Sequence, residues 1–323
     1  MRWSTPALVA AAVLLSACGT TETPTTTPTS SDSAGGPVTV TDARGKEVKL
    51  DAPAQRVVAL EWAEAEMVAS LGVMPVGVAD AAGYRAWDKA TPLDEGVADV
   101  GTRAEPSVDS IVALDPDVVV MAEGRDATLA GRLEEYVPVV VTKGSDASRN
   151  FDRLREDLGV IAGAIGKDIE ADTLLDEMDQ ALADGRKAVA DEGAAGTPFV
   201  MADGWAEGST VNIRPFGKGS LVSDTAEALG LVNAWTGEVD AQWGLGATDV
   251  EGMTAITDPR TVLFYSASED DVFTTGLAQN PVWQRLPFVA SGRVVKLEPG
   301  TWTFGGPKSV VRVAEQFVKA VTA

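Results

Sequence analysis

FDRLREDLGVIAGAIGKDIEADTLLDEMDQALADGRKAVADE, residues 151–192, is the stretch that decides the fold. It has few turn signals, is rich in Ala, Leu, Asp and Glu, and carries apolar Leu175, Met178, Leu182 and Val189 at helical spacing. Gly163, Gly166 and Gly185 weaken it locally, so two helices are expected to meet near Gly166-Lys167. The second, 168–192, would run roughly 37 Å at 1.5 Å per residue. A helical insertion within one domain would look similar. Strand–helix alternation restarts beyond it, however, and a rigid strut between two lobes, 37–167 and 193–323, is the better reading.

On the N-terminal side, VVALEW (57–62), PVGVAD (75–80), DVVVMA (117–122) and VPVVVT (137–142) are short β-branched runs bounded by turn residues. Residues 63–72, closed by Gly72, and 126–136 read as helices between them. On the far side come TPFVMA (197–202), a helix from Ser220 to Leu229, TVLFYSAS (261–268) and RVVKLE (293–298). Pro307 suits the first position of a C-terminal helix over 308–321. Alternation of this kind predicts α/β lobes with mainly parallel central sheets.

The chain begins MRWSTPALVAAAVLLSAC: a basic start, nine apolar residues from Ala7 to Leu15, then small residues and Cys18. Nine apolar residues are too few for a membrane-spanning helix, so 1–18 reads as an export signal. Leu15-Ser16-Ala17-Cys18 resembles a bacterial lipobox, with Cys18 as the lipidated residue. Residues 19–36, low-complexity Thr/Ser/Pro/Gly, read as a flexible tether with a coil reach of roughly 20–25 Å. The folded part is then expected at the extracellular face of the cell membrane.

Composition excludes several functions. Of 323 residues 48 are Asp or Glu and 26 Lys or Arg, a formal charge of −22, which argues against a nucleic-acid partner. There is no His, and Cys18 is the one Cys. Ser-His-Asp and Cys-His nucleophiles, His-based acid–base work and His-containing zinc or haem sites are therefore ruled out. No G-x-S-x-G elbow occurs, and PFGKGS (215–220) lacks the order of a phosphate loop. It reads as a loop leading into a helix. No catalytic residue is assigned, and no cofactor or metal held by the protein itself is expected.

The aromatic residues are more telling. Eight Trp stand against three Tyr, and Trp87, Trp205, Trp243 and Trp302 lie in Gly-rich loops, whereas Trp235 and Trp283 fit the core. Loop tryptophans suit a concave site that stacks on a bulky ligand. Arg103, Arg125 and Arg214 are placed in loops at strand ends, where each could donate forked hydrogen bonds to oxygen-rich groups. Two further segments echo each other. PSVDSIVALDPDVVV (106–120) and ATDVEGMTAITDPRTVLF (247–264) both show a polar cap, an acid in the first turn, an apolar face, Asp-Pro and a strand. Asp109 and Glu251 occupy matching places, where helix-dipole stabilisation is the plainest role.

Four segments, 59–87, 99–120, 216–235 and 280–295, resemble the siderophore-binding proteins of ABC importers, nearest the ferric-hydroxamate-binding branch. The resemblance runs from about residue 55 to the C-terminus. It implies two α/β lobes joined by one long backbone helix, a shallow inter-lobe cleft and modest closure. It implies that Arg103, in VGTRAEP, hydrogen-bonds iron-coordinating oxygens, with Trp87, Trp243 and Trp302 lining the cleft. Phe304 stands where the family has Tyr, Ala241 where it has Asn, and Met121 and Arg125 where it has Trp and Tyr. Ferric iron would arrive already saturated by the siderophore, and Asp109 and Glu251 would dock onto the permease. The expected protein is a monomeric, lipid-anchored binder rather than an enzyme. The open ligands are a trihydroxamate, a more anionic ferric chelate or a mixed-ligand siderophore. Ferric citrate, haem or cobalamin capture is the alternative, with an enzyme acting on a metal complex further behind. Tyr84, Tyr136 and Tyr265 form no evident haem-binding set.

Overall fold

The computed structural model describes residues 35–124, 128–208 and 210–323. Cys18, the signal and almost all of the tether lie outside the described residues, as does Arg125.

The N-terminal half opens with an antiparallel hairpin, β1 (Val38–Thr41) and β2 (Glu47–Leu50). An all-parallel five-stranded sheet follows. Its strands and helices are β3 (Val57–Ala59), α1 (Trp62–Ser70), β4 (Gly77–Val78), α2 (Ala81–Trp87), β5 (Ala98–Asp99), α3 (Val108–Val112), β6 (Val118–Ala122), α4 (Leu129–Leu133) and β7 (Val139–Thr142). Strand order is β5-β4-β3-β6-β7. The central strands β3 and β6 are buried along their whole length, which is why they read as continuous Val runs instead of alternating ones.

α5 (Asn150–Ile165) then leads into α6 (Asp168–Asp191). Gly166 separates them in a left-handed conformation, φ 70°, that ends α5 and that a side chain would resist. The role of α6 follows from what its two ends bury. Ala171, Leu174 and Met178 pack into the core that holds Val57, Val118 and Leu158. Val189 packs instead with Phe199, Phe216 and Phe264 of the second sheet. One helix thus contributes to two separate cores.

The C-terminal half contains β8 (Pro198–Glu207), β9 (Thr210–Phe216), α7 (Leu221–Ala228), β10 (Val232–Asn233), β11 (Val262–Tyr265), α8 (Pro287–Ala290), β12 (Val294–Lys296) and α9 (Pro307–Val321). Parallel strands run in the order β10-β8-β11-β12, and β9 folds back antiparallel on β8. α9 buries Val310, Val313, Ala314 and Phe317 on one face, with Phe317 stacked on Phe264 at 4.1 Å between ring centres. Trp283 is buried and Trp235 packs against the same core, as expected for these two.

Several expectations need correction. The run 57–62 is a strand only to Ala59; Trp62 is the first residue of α1, its indole N–H donating to the carbonyls of Ala79 and Asp80. The helix expected over 126–136 is described at Leu129–Leu133. Arg214 lies inside strand β9, not in a loop, opposite Asp203 in the register. Met121 is buried in the first sheet's core. The PFGKGS loop does lead into a helix, with Ser220 capping the Ser223 N–H at 3.2 Å.

Candidate functional site

In a parallel α/β sheet the residues that follow each strand's carboxyl end gather along one edge, where ligands bind. Here that edge carries Glu61 after β3, Arg103 after β5, Glu123 after β6 and Gly144 after β7. The second half faces it with Arg214 from β9, Gln242, Trp243 and Leu245 from the loop after β10, and Trp302 and Phe304 from the loop after β12. Between the two lies an open cleft of about 370 Å³.

Two segments close its ends. On one side Ser145 donates to the Gln242 carbonyl at 2.7 Å and the Asn150 amide donates to the Gly219 carbonyl. On the other, residues 300–309 lie against the first half as a strap. The Lys89 N–H donates to the Gly300 carbonyl at 3.0 Å. Trp302 meets Trp62 edge to face at 4.7 Å. Buried Glu66 accepts from the Gly306 N–H (2.8 Å), the Ser309 N–H (2.9 Å) and the Ser309 hydroxyl (2.6 Å). Glu66, from α1, thereby caps α9, whose own first residue, Pro307, has no N–H to satisfy. Gly305 permits this approach, since a Cβ there would collide with the Glu66 carboxylate and the Ser309 side chain. The aromatic wall of Trp302 and Phe304 is therefore fixed to both halves.

The Arg103 guanidinium carbon sits over Trp62, 4.0 Å from the ring centre, and 5.6 Å from that of Trp302. Its Nη1 is 3.3 Å from Glu61 Oε2. Arg214 pairs with Asp203 through both Nε (2.9 Å) and Nη2 (2.5 Å), and its guanidinium is 5.4 Å from the ring centre of Phe304. Burial pushes the Asp203 carboxyl up, with Arg214 acting against it. Glu64, 1% exposed, accepts from the Thr142 hydroxyl at 2.6 Å through Oε1, while Oε2 has no partner among the described residues. Burial pushes its carboxyl up to about 7; the Thr142 hydrogen bond opposes this and the charges of Glu61 and Asp157 reinforce it.

Of the expected binding residues, Arg103, Arg214, Trp243, Trp302 and Phe304 line this cleft together. Trp87 and Trp205 do not. Trp87 ends α2, stands edge-on to Trp302 at 6.3 Å and gives its indole N–H to Glu269 at 3.0 Å, which ties its ring to a contact between the halves. Trp205 is 48% exposed on the far part of β8, 5.8 Å from the Arg214 guanidinium. Arg125 falls outside the described residues. Asp109 and Glu251 are both exposed, and their surroundings match closely. Ser107 caps the Ser110 N–H two residues before Asp109, and Asp249 caps the Gly252 N–H two residues before Glu251. The helix at Glu251 is a single 3-10 turn, however.

Sequence reasoning missed Glu61, Glu64, Gln242 and the Trp62 platform. Glu61 follows a strand's carboxyl end, the same signal that marked Arg103. Glu64 and Glu66 sit in a helix whose other buried residues are Trp62, Ala65, Met67 and Val68, and acids within so apolar a segment are a signal in themselves. Among the described residues, no group of three or more acidic, His or Cys side chains is positioned to hold a metal ion.

Comparison with known proteins agrees with this geometry. The family model for periplasmic binding proteins matches residues 57–301. The iron(3+)-hydroxamate-binding protein FhuD of Escherichia coli (strain K12) is 28% identical over 271 residues, covering 82% of this chain and 86% of that one. The Fe(3+)-citrate-binding protein YfmC of Bacillus subtilis (strain 168) is 27% identical over 286 residues, 87% of this chain and 84% of its own. Among solved structures, the Fe3+–Desferal-bound siderophore-binding protein FhuD from Vibrio cholerae superposes with a TM-score of 0.73 at 25% identity, covering 83% of this chain and 98% of that one. These are binding proteins, and the two-lobe fold is theirs. With more than half of its length matched by the family model, the chain belongs to the periplasmic binding protein family.

Proposed function

We propose that this protein captures a ferric siderophore, of the hydroxamate type, and delivers it to an ABC permease for iron uptake. One observation carries the reading: Arg103 is held over Trp62 at the cleft, with Trp302, Trp243 and Phe304 around it. A siderophore already fills the coordination sphere of iron with oxygens. The protein then needs donors for those oxygens and aromatic surface for the organic shell, and it needs no metal ligand of its own. The similarity to hydroxamate- and citrate-binding relatives supports the ligand class. Lobes at 37–167 and 193–323 on either side of the helix 168–192 belong to the same proposal, as do a monomeric state and a lipid anchor on Cys18 with a tether over 19–36.

In this reading Asp109 and Glu251, one on each half and equivalently presented, meet the permease. Titrating intrinsic tryptophan fluorescence with an iron-loaded trihydroxamate should give saturable quenching at micromolar concentration, and the iron-free ligand should bind more weakly. Absence of quenching by every ferric siderophore tried would remove the proposal. Asp109→Ala combined with Glu251→Ala should leave binding intact and abolish uptake; normal uptake would return both acids to helix capping. Cys18→Ser should release the protein from the membrane fraction.

A further inference from the structure

Strand β8 outruns its own sheet. Its parallel pairing with β11 ends at Ala202, and from Asp203 to Glu207 it pairs with β9 alone among the named strands. The overhang leaves the sheet at the carboxyl end of β8, the edge along which the cleft is built. Alternation gives this hairpin two faces. On one, Val211 and Ile213 pack into the core with Val272 and Phe273. Gly204 lies on the same side, where a Cβ would come within 3.1 Å of Val272 and 3.4 Å of Phe273. The directly opposed pairs Asp203–Arg214, Trp205–Asn212 and Glu207–Thr210 share the other face. Arg214 belongs to the cleft wall, so that face continues the cleft outwards. Two parallel hydrogen bonds to Asp203 fix the Arg214 guanidinium. It lies 5.4 Å from the ring centre of Phe304 on the cleft wall and 5.8 Å from that of Trp205 beyond it. Trp205 keeps 48% of its surface exposed, while the packing that anchors the hairpin uses the opposite face.

We infer that the hairpin face carrying Trp205 and Asn212 is an outer subsite of the cleft, which stacks on an apolar arm of the chelate lying outside the iron coordination sphere. The inference rests on the ferric-siderophore reading and adds a specificity-determining residue to it. A chelate seated against the Arg214–Phe304 wall directs any arm on that side over the Trp205 ring. Stacking there needs only a flat or alkyl surface, and the half-exposed ring offers one without disturbing the fold. The Asn212 amide donates to Glu207 at 3.3 Å and keeps its oxygen as an acceptor for an amide link in the arm. Iron-bound oxygens are met further in, at the wall that Arg103 and Trp302 share with Phe304. The inner wall thus recognises the chelated iron, and the hairpin distinguishes chelates by what they carry around it.

The test is calorimetric titration of the full chain and of Trp205→Ala with two ferric trihydroxamates, one linear with a neutral aryl-acyl arm and one macrocyclic with no arm. Calorimetry is used because the substitution removes a fluorophore. Taking variant against wild type for each chelate cancels the difference between their iron cores. Trp205→Ala should weaken the armed chelate by about fivefold or more, the scale of one aromatic stacking contact, and the macrocycle by less than about twofold. Trp205→Phe, which keeps a ring, should recover most of the loss, and unfolding midpoints near wild type would show that both variants fold. Equal losses for the two chelates would overturn the subsite and leave Trp205 as a support for Arg214. Unchanged binding of both with impaired uptake would overturn it too, and would give this face to the permease. Either result leaves the siderophore reading standing. Failure of both chelates to bind the wild type would overturn the inference together with the reading beneath it.

Discussion

Removing the Glu66 side chain should destabilise this protein more than any other single change at the cleft. The carboxylate accepts three hydrogen bonds from the start of α9, and it is fully buried. Glu66→Ala orphans the N–H groups of Gly306 and Ser309 and removes negative charge from a helix N-terminus. A buried donor without a partner costs about 1–3 kcal/mol, and the lost dipole contact adds up to about 1 kcal/mol. With two such donors the total is about 2–7 kcal/mol, bracketing the about 3–5 kcal/mol of breaking a buried charged contact and a large share of a typical stability of about 5–15 kcal/mol. Asp88 bears on the result, since burial and then the charge of Glu66 hold its carboxyl far above the ordinary range. Losing Glu66 lowers it again, so the deficit should be smaller near neutral pH than in acid. Chemical denaturation of wild type, Glu66→Ala and Glu66→Gln would measure this, with Gln intermediate because it keeps one acceptor. The strap also carries Trp302, so the Ala variant should bind ligand more weakly even where it is fully folded. A loss below about 1 kcal/mol would refute the view that Glu66 joins the halves.

Arg103→Ala should weaken ferric-siderophore binding by about tenfold or more, in line with loss of one charge-assisted contact, while the unfolding midpoint stays near wild type; unchanged affinity would take Arg103 out of the site. Glu64 gives a pH signature. Its native carboxyl titrates near 7 against an ordinary 4.5, so the native state holds the extra proton. That stabilisation is complete below about 4.5 and is lost as pH rises through about 7, up to about 3 kcal/mol, and Glu64→Gln should make the slope between those limits shallower in unfolding experiments, the remainder belonging to other raised carboxyls such as Asp88. Gly219→Ala should cost about 2–4 kcal/mol, because Gly219 has φ +84° and a Cβ would overlap the Ala147 carbonyl at the junction of the halves.

How much of this was legible in the sequence depended on whether the signal was local. α5, α6 and α9 were readable because each is long, periodic and bounded by Gly166, Lys167 or Pro307. The β8–β9 hairpin was not, since Pro215 and the following glycines make the segment look like loop. Pro215 is tolerated because β8 is the one named strand that pairs with β9 among the described residues, and on the other side Pro215 offers its carbonyl, which accepts from the Gly246 N–H. Gly-rich surroundings drew attention to Trp243 and Trp302, which line the cleft. Trp87 and Trp205 carry the same signal without lining the cleft, because composition gives a ring's location in the chain and not its direction. The carboxylates escaped for a related reason: Glu61 and Glu64 look like ordinary helix-start acids, and only the packing of α1 shows that one pairs with Arg103 and the other is sealed beneath the cleft. The strap made by Glu66 joins residues 240 and 243 positions apart, beyond any local pattern.

The central claim is that the cleft between Arg103 and the Trp243–Trp302–Phe304 wall holds a ferric chelate. Crystals of the protein grown with an iron-loaded trihydroxamate, measured at the iron absorption edge, test it directly. A single anomalous peak in that cleft, within reach of the Arg103 guanidinium through ligand oxygens and with no protein atom bonded to the metal, is the predicted result. An iron peak bonded to protein carboxylates, or placed elsewhere on the molecule, would contradict it.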